Sequence, residues 1–95
     1  MTERRSIEMS EEERGLMPVL TIYTTRWCGD CARTKSFLRR NLIPFEEIDI
    51  EHDHEAAATV IRLNKGNRSV PTLVFPDGSI LTEPSNRELA AKLEI

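Results

Sequence analysis

The chain has 95 residues, 39% of them apolar and 31% charged, which suits one globular domain with one modest core and does not suit a disordered segment. Its net charge of −3 is too mild to make nucleic acid or an anionic membrane the main partner. No apolar run approaches the ~18 residues that a membrane-spanning helix needs.

The first 17 residues are dominated by Glu, Arg and Ser and contain no apolar secretory core. They read as a flexible, charged N-terminal extension to a domain spanning residues 18–95, with a cytoplasmic location as the expectation. Pattern begins at Pro18. Val19-Leu20-Thr21-Ile22-Tyr23-Thr24 is β-branched and aromatic, with apolar residues on both parities, which predicts a central strand covered on both faces. A turn through Trp27, Cys28 and Gly29 leads into a helix whose stripe is Cys31, Leu38 and Leu42, with Phe37 beside it and Pro44 as its stop. Phe45 to Ile50 reads as a second strand with Ile48 and Ile50 on one face. Asp53 can cap a second helix through about Asn64, with a stripe of Ala57, Val60, Ile61 and Asn64 and a glycine cap at Gly66. Thr72 to Phe75 and Ser79 to Leu81 flank the turn Pro76-Asp77-Gly78 as a hairpin. Ser85-Asn86-Arg87-Glu88 is a capping box, and Leu89 and Leu93 follow at helical spacing. The order is β-α-β-α-β-β-α, an α/β fold whose first two strands are parallel and whose hairpin adds an antiparallel edge.

The chemistry lies in the two cysteines. They are three positions apart, so they do not form the dispersed staples of a secreted mini-protein. A structural zinc site would need two further ligands, and His52 and His54 do not stand at finger spacing. The run Glu51-His52-Asp53-His54-Glu55 reads as a solvated strand-to-helix link rather than a metal site. A redox pair remains. Thiol–disulfide exchange requires a thiolate, and an ordinary thiol is only about 3% ionised at pH 7. A helix N-terminus favours negative charge on sulfur, and Cys28 stands where strand gives way to helix. Cys28 is therefore assigned as nucleophile and Cys31, one turn inside, as resolving thiol. Asp30 opposes negative charge on its neighbours, while Arg26 and Arg33 are close enough in sequence to offset it. Trp27 is read either as a wall of the substrate groove, with Asp30 beside it, or as an aromatic that anchors the turn. Val70-Pro71 belongs at a strand start, because proline cannot donate to a ladder, and a cis bond there would turn the Val70 N–H and C=O toward the cysteines, ready to pair with an extended substrate. Arg68 and Asn67 precede it on a loop where polar groups of a substrate could be met. Thr82 and Ser85 could line the groove or cap the last helix.

These residues resemble a known family. Thr24-Thr25-Arg26-Trp27-Cys28-Gly29-Asp30-Cys31, Ile48-Asp49-Ile50, Ser69-Val70-Pro71-Thr72 and Asp77-Gly78 resemble the glutaredoxin-like branch of the thioredoxin superfamily. Ile22-Tyr23-Thr24-Thr25, Asp49-Ile50-Glu51-His52, Gly66 to Thr72 and Leu81 to Ser85 look more narrowly like the mycoredoxins. The resemblance implies a thioredoxin-like (glutaredoxin-type) fold of four strands and three helices, and a cis Pro71. It implies reduction of mixed disulfides between proteins and a low-molecular-weight thiol, through Cys28 and Cys31. The co-substrate would be mycothiol, or else glutathione, with no bound cofactor and no metal. Partners would be S-thiolated or disulfide-bonded proteins, met by a monomer. Two departures stand out: Asp30 replaces the usual aromatic, and Leu81-Thr82-Glu83-Pro84-Ser85 replaces the Gly-Gly segment that helps bind glutathione. The rival readings are a thioredoxin-like disulfide reductase fed by a flavoprotein, and an iron–sulfur or metal carrier bridging two chains through Cys28.

Overall fold

The computed structural model describes residues 19–95, so the expected extension at 1–17 lies outside the described residues. The elements are β1 (Leu20–Thr24), α1 (Gly29–Arg40), β2 (Phe45–Asp49), α2 (His54–Leu63), β3 (Thr72–Val74), β4 (Ile80–Thr82) and α3 (Asn86–Leu93). The sheet order is β2-β1-β3-β4. β1 and β2 run parallel, and the β1–β3 and β3–β4 pairs are antiparallel. Among the described residues, no helix is long and apolar enough to cross a membrane.

β1 alternates buried Leu20, Ile22 and Thr24 with half-buried Thr21 and Tyr23, so both faces are covered as its mixed parity predicts. Leu20 and Ile22 pack with Leu38 of α1, Leu73 of β3, Phe75 and Leu89 of α3. Tyr23, Ile48 and Val70 pack on the opposite side with Ile50 and with Ala56 and Val60 of α2. The sheet thus lies between two helices on one face and one on the other. Each fully buried Leu or Ile contributes about 1.5–3 kcal/mol relative to exposure.

Two expectations are corrected. Leu42 is not on the α1 stripe: the helix ends at Arg40, and Leu42 takes a left-handed φ of 58° and is exposed. Its place on the stripe goes to Thr34, which is fully buried. Ile61 of α2 is also exposed, and Ala56 turns inward instead. The glycine cap after α2 forms as expected, with Gly66 at φ 100°, and Lys65 before it is left-handed as well, at φ 56°. The Gly66 N–H donates to the Ile61 carbonyl at 2.8 Å, as the Ile43 N–H does to Leu38 at 2.9 Å after α1. Both are the long closing bond of a Schellman cap, which needs one left-handed residue just before the donor.

Candidate active site

Five residues of β1 carry the chain to one end of the sheet, and Thr25, Arg26 and Trp27 turn it into α1. Cys28 is the N-cap of α1, with an extended backbone at φ −91° and ψ 110°. A cap residue normally offers oxygen to the unpaired amides of the first turn. Here the acceptor is sulfur: the Cys31 N–H donates to Cys28 Sγ at 3.0 Å. That amide and the N-terminus of α1 behind it thus face Cys28 Sγ.

Cys31 is in the opposite situation. It lies in the first turn of α1 and is 1% exposed. Burial pushes its thiol up to about 12, and the adjacent Cys28 sulfur adds to the rise, while the Thr25 backbone and the Lys35 charge work against it. Both cysteines are free thiols. One sulfur is thus reachable and held by an amide, and the other is hidden and kept protonated, within a single helical turn.

The loop before β3 closes the site. The Cys28 thiol points to the Val70 carbonyl at 3.8 Å, and the Val70–Pro71 bond is cis, as the family resemblance implied. The Pro71 carbonyl accepts from the Glu83 N–H at 2.8 Å, which ties the loop to the end of β4. Arg33 of α1 then holds the start of α3, donating to Asn86 Oδ1 at 2.6 Å and to the Pro84 carbonyl at 3.0 Å. The three segments around the cysteines are braced against one another.

The remaining candidates fall at the rim. Trp27 is 81% exposed, and the Arg26 guanidinium stands 5.4 Å from its ring centroid, a cation–π geometry. Arg33, 3.6 Å from the Asp30 carboxylate, is the cation that offsets it, while Arg26 is directed to the indole. Arg68 is exposed on the loop before Val70, and Pro71 is buried. Thr82 donates to Asn64 Oδ1 at 2.6 Å, and Asn64 Nδ2 donates to Thr72 Oγ1 at 3.0 Å, whose own hydroxyl bonds the Ser69 carbonyl at 2.8 Å. The Thr82 hydroxyl therefore steadies the loop that carries Val70. Ser85 caps α3 in the full reciprocal box with Glu88. In the Glu51 to Glu55 link, His52 pairs with Asp49 at 3.0 Å and Asp53 caps α2 through the Ala56 N–H at 3.0 Å. No group of three metal-ligating side chains forms among the described residues.

Sequence reasoning missed Arg33 as a brace and the bridging role of Asn64. It also missed Glu47 of β2, whose Oε2 accepts from both Thr24 Oγ1 and Lys35 Nζ at 2.8 Å. Asp30 and Arg33 at i, i+3 on a helix were a usable signal. The Asn64 and Glu47 links depend on strand register and carried none.

A mixed four-stranded sheet of this order, with a Cys-X-X-Cys pair where the first strand meets the first helix, defines a thioredoxin-like thiol–disulfide oxidoreductase. The glutaredoxin family model matches residues 20–80, and the chain belongs to the glutaredoxin family. It is 57% identical over 74 residues to a Mycobacterium tuberculosis protein that bears the glutaredoxin name, covering 78% of this chain and 88% of that one. It is 38% identical over 78 residues to mycoredoxin 1 of Corynebacterium glutamicum, covering 82% of this chain and 96% of the relative. The crystal structure of a glutaredoxin from Archaeoglobus fulgidus superposes with a TM-score of 0.70 at 25% identity, over 93% of this chain and 98% of that one.

Proposed function

We propose that this thiol–disulfide oxidoreductase reduces mixed disulfides between proteins and a small thiol, with mycothiol as that thiol. Cys28 is the nucleophile. Its thiolate attacks the sulfur of the small thiol, a Cys28–thiol disulfide forms, and the client protein leaves as a thiolate that takes up a proton. Either Cys31 then attacks the Cys28 sulfur and releases the small thiol, or a second small-thiol molecule attacks the sulfur of the first, leaves with it as the symmetrical disulfide and frees Cys28 as a thiolate. The observation that carries this reading is the contrast between Cys28 Sγ, which accepts the Cys31 N–H at 3.0 Å, and Cys31, which is 1% exposed. We place the activity in the cytoplasm, in a monomer that needs no bound cofactor.

Two observations support mycothiol over glutathione. The likeness to mycoredoxin 1 is one. The other is Asp30, whose exposed carboxylate stands two residues after Cys28. Glutathione carries net negative charge and mycothiol carries none, so that carboxylate, which Arg33 offsets only in part at 3.6 Å, disfavours glutathione by like-charge repulsion at the rim. Reductase assays run separately with mycothiol, with glutathione and with thioredoxin reductase, each recycled by NADPH, test the reading. The expected result is the highest kcat/KM with mycothiol. Asp30→Asn is expected to raise the glutathione rate a few-fold at low salt and leave the mycothiol rate nearly unchanged. Highest activity with thioredoxin reductase, or an Asp30→Asn variant with no change in thiol preference, would reject it.

A further inference from the structure

A buried thiol pushed up to about 12 by burial and by the adjacent Cys28 sulfur is a poor resolving group, because little of it is thiolate at pH 7. The surroundings of Cys31 contain a partial remedy. Lys35 stands four residues after Cys31 on α1, a spacing that brings side chains together on one helix face, with Cβ atoms about 6 Å apart. Its ammonium is not left to swing in solvent. Nζ donates to Glu47 Oε2 at 2.8 Å, and that same oxygen accepts from Thr24 Oγ1 at 2.8 Å. Thr24 is 1% exposed at the end of β1, four residues before Cys28. Three elements, α1, β1 and β2, thus converge to fix one cation on the cysteine side of the sheet. The charges acting on Cys31 are those of Cys28, which opposes its ionisation, and Lys35, which favours it; the Thr25 backbone assists. Glu47 faces the site through Lys35.

We propose that Lys35, anchored by Glu47 and Thr24, is a positioning residue for the resolving step, its fixed charge stabilising the Cys31 sulfur as that sulfur gives up its proton. This rests on the reading that Cys31 resolves the Cys28 adduct. In the step, a Cys31–Cys28 sulfur bond forms and the bond between Cys28 and the small thiol breaks. Cys31 is oxidised, the departing sulfur is reduced to a thiolate, and that thiolate takes up the proton equivalent that Cys31 released.

The test uses the full chain, reduced and mixed with 5,5′-dithiobis(2-nitrobenzoate) in a stopped-flow instrument. Attack by Cys28 releases the first coloured thiolate, and attack by Cys31 on the adduct releases the second. In Lys35→Met, the first phase is expected to stay within about twofold of the unmodified protein, and the second to slow about tenfold at pH 7, the equivalent of one pKa unit. The pH profile of the second phase should move up by about one unit, and Lys35→Arg should restore most of the rate. An unchanged second phase in Lys35→Met, equal slowing of both phases, or no rescue by arginine overturns the proposal. Should Lys35→Met fail to fold, Glu47→Leu decides, because it removes the oxygen that holds the cation without deleting the cation. A slower second phase alone supports the proposal, and an unchanged one overturns it. Cys31→Ser separates the two readings: a second phase that persists there rejects Cys31 as the resolving thiol, whatever Lys35 does.

Discussion

At the scale of single residues, two identical side chains three positions apart acquire different chemistry from their surroundings alone. Cys28 faces an amide and solvent; Cys31 faces packed interior. Iodoacetamide at pH 7 is therefore expected to modify Cys28 and spare Cys31 in the reduced protein, as read by peptide mass. Equal labelling would contradict the asymmetry. This division was legible in the sequence, because the change from strand period to helix period falls at Cys28 and puts Cys31 on the apolar stripe. The partners of the charged residues were only half legible. Arg33 meets Asp30 at i, i+3, as helical spacing allows. Arg26 precedes the helix, where spacing gives no direction, and it lies over the Trp27 ring instead.

At the scale of elements, period decided what each segment became, and local caps decided where it stopped. Asp53 and Ser85 announce the starts of α2 and α3 by residue type, and both caps form. The helix ends were harder to read, because the residue just before each closing donor is left-handed and not glycine, and only α2 adds a positive-φ glycine, Gly66, after it. Leu42, Lys65 and Glu94 take φ of 58°, 56° and 60°. A non-glycine residue in that region costs about 1–2 kcal/mol, and the closing hydrogen bonds to Leu38, Ile61 and Ala90 hold it there. Leu42 is 66% exposed, so its side chain contributes little packing in return. Leu42→Gly is expected to raise stability by roughly 0.5–1 kcal/mol in urea unfolding, the relief of strain outweighing the added freedom of the unfolded chain. A loss of stability would show that the Leu42 side chain packs more firmly than its exposure indicates.

At the scale of the molecule, the sheet brings together residues that sequence distance keeps apart. The parallel pairing of β1 and β2 was legible from the β-α-β order, and Val70–Pro71 was expected opposite the cysteines, but the β1–β3 pairing that sets Val70 there was not legible. Nor was the Thr24–Glu47–Lys35 cluster, which exists only once β1 and β2 are in register. Burial draws the Glu47 carboxyl upward from its ordinary 4.5, but hydrogen bonds from Lys35 and Thr24 outweigh it and hold the group below that value. A depressed carboxyl contributes stability above its unfolded pKa and loses it as pH falls through its folded one. Below about pH 4.5, Glu47→Gln should therefore lose less stability per pH unit than the natural chain, measured by urea unfolding in a pH series; parallel curves would contradict this. The central claim is that Cys28 alone meets the substrate. Cys31→Ser, incubated with a mycothiol-modified client protein and analysed by intact mass and peptide mapping, tests it most directly. The expected result is a one-mycothiol adduct on Cys28 and a freed client, with no reaction in Cys28→Ser. A client freed by Cys28→Ser, with the adduct on Cys31, would contradict the claim.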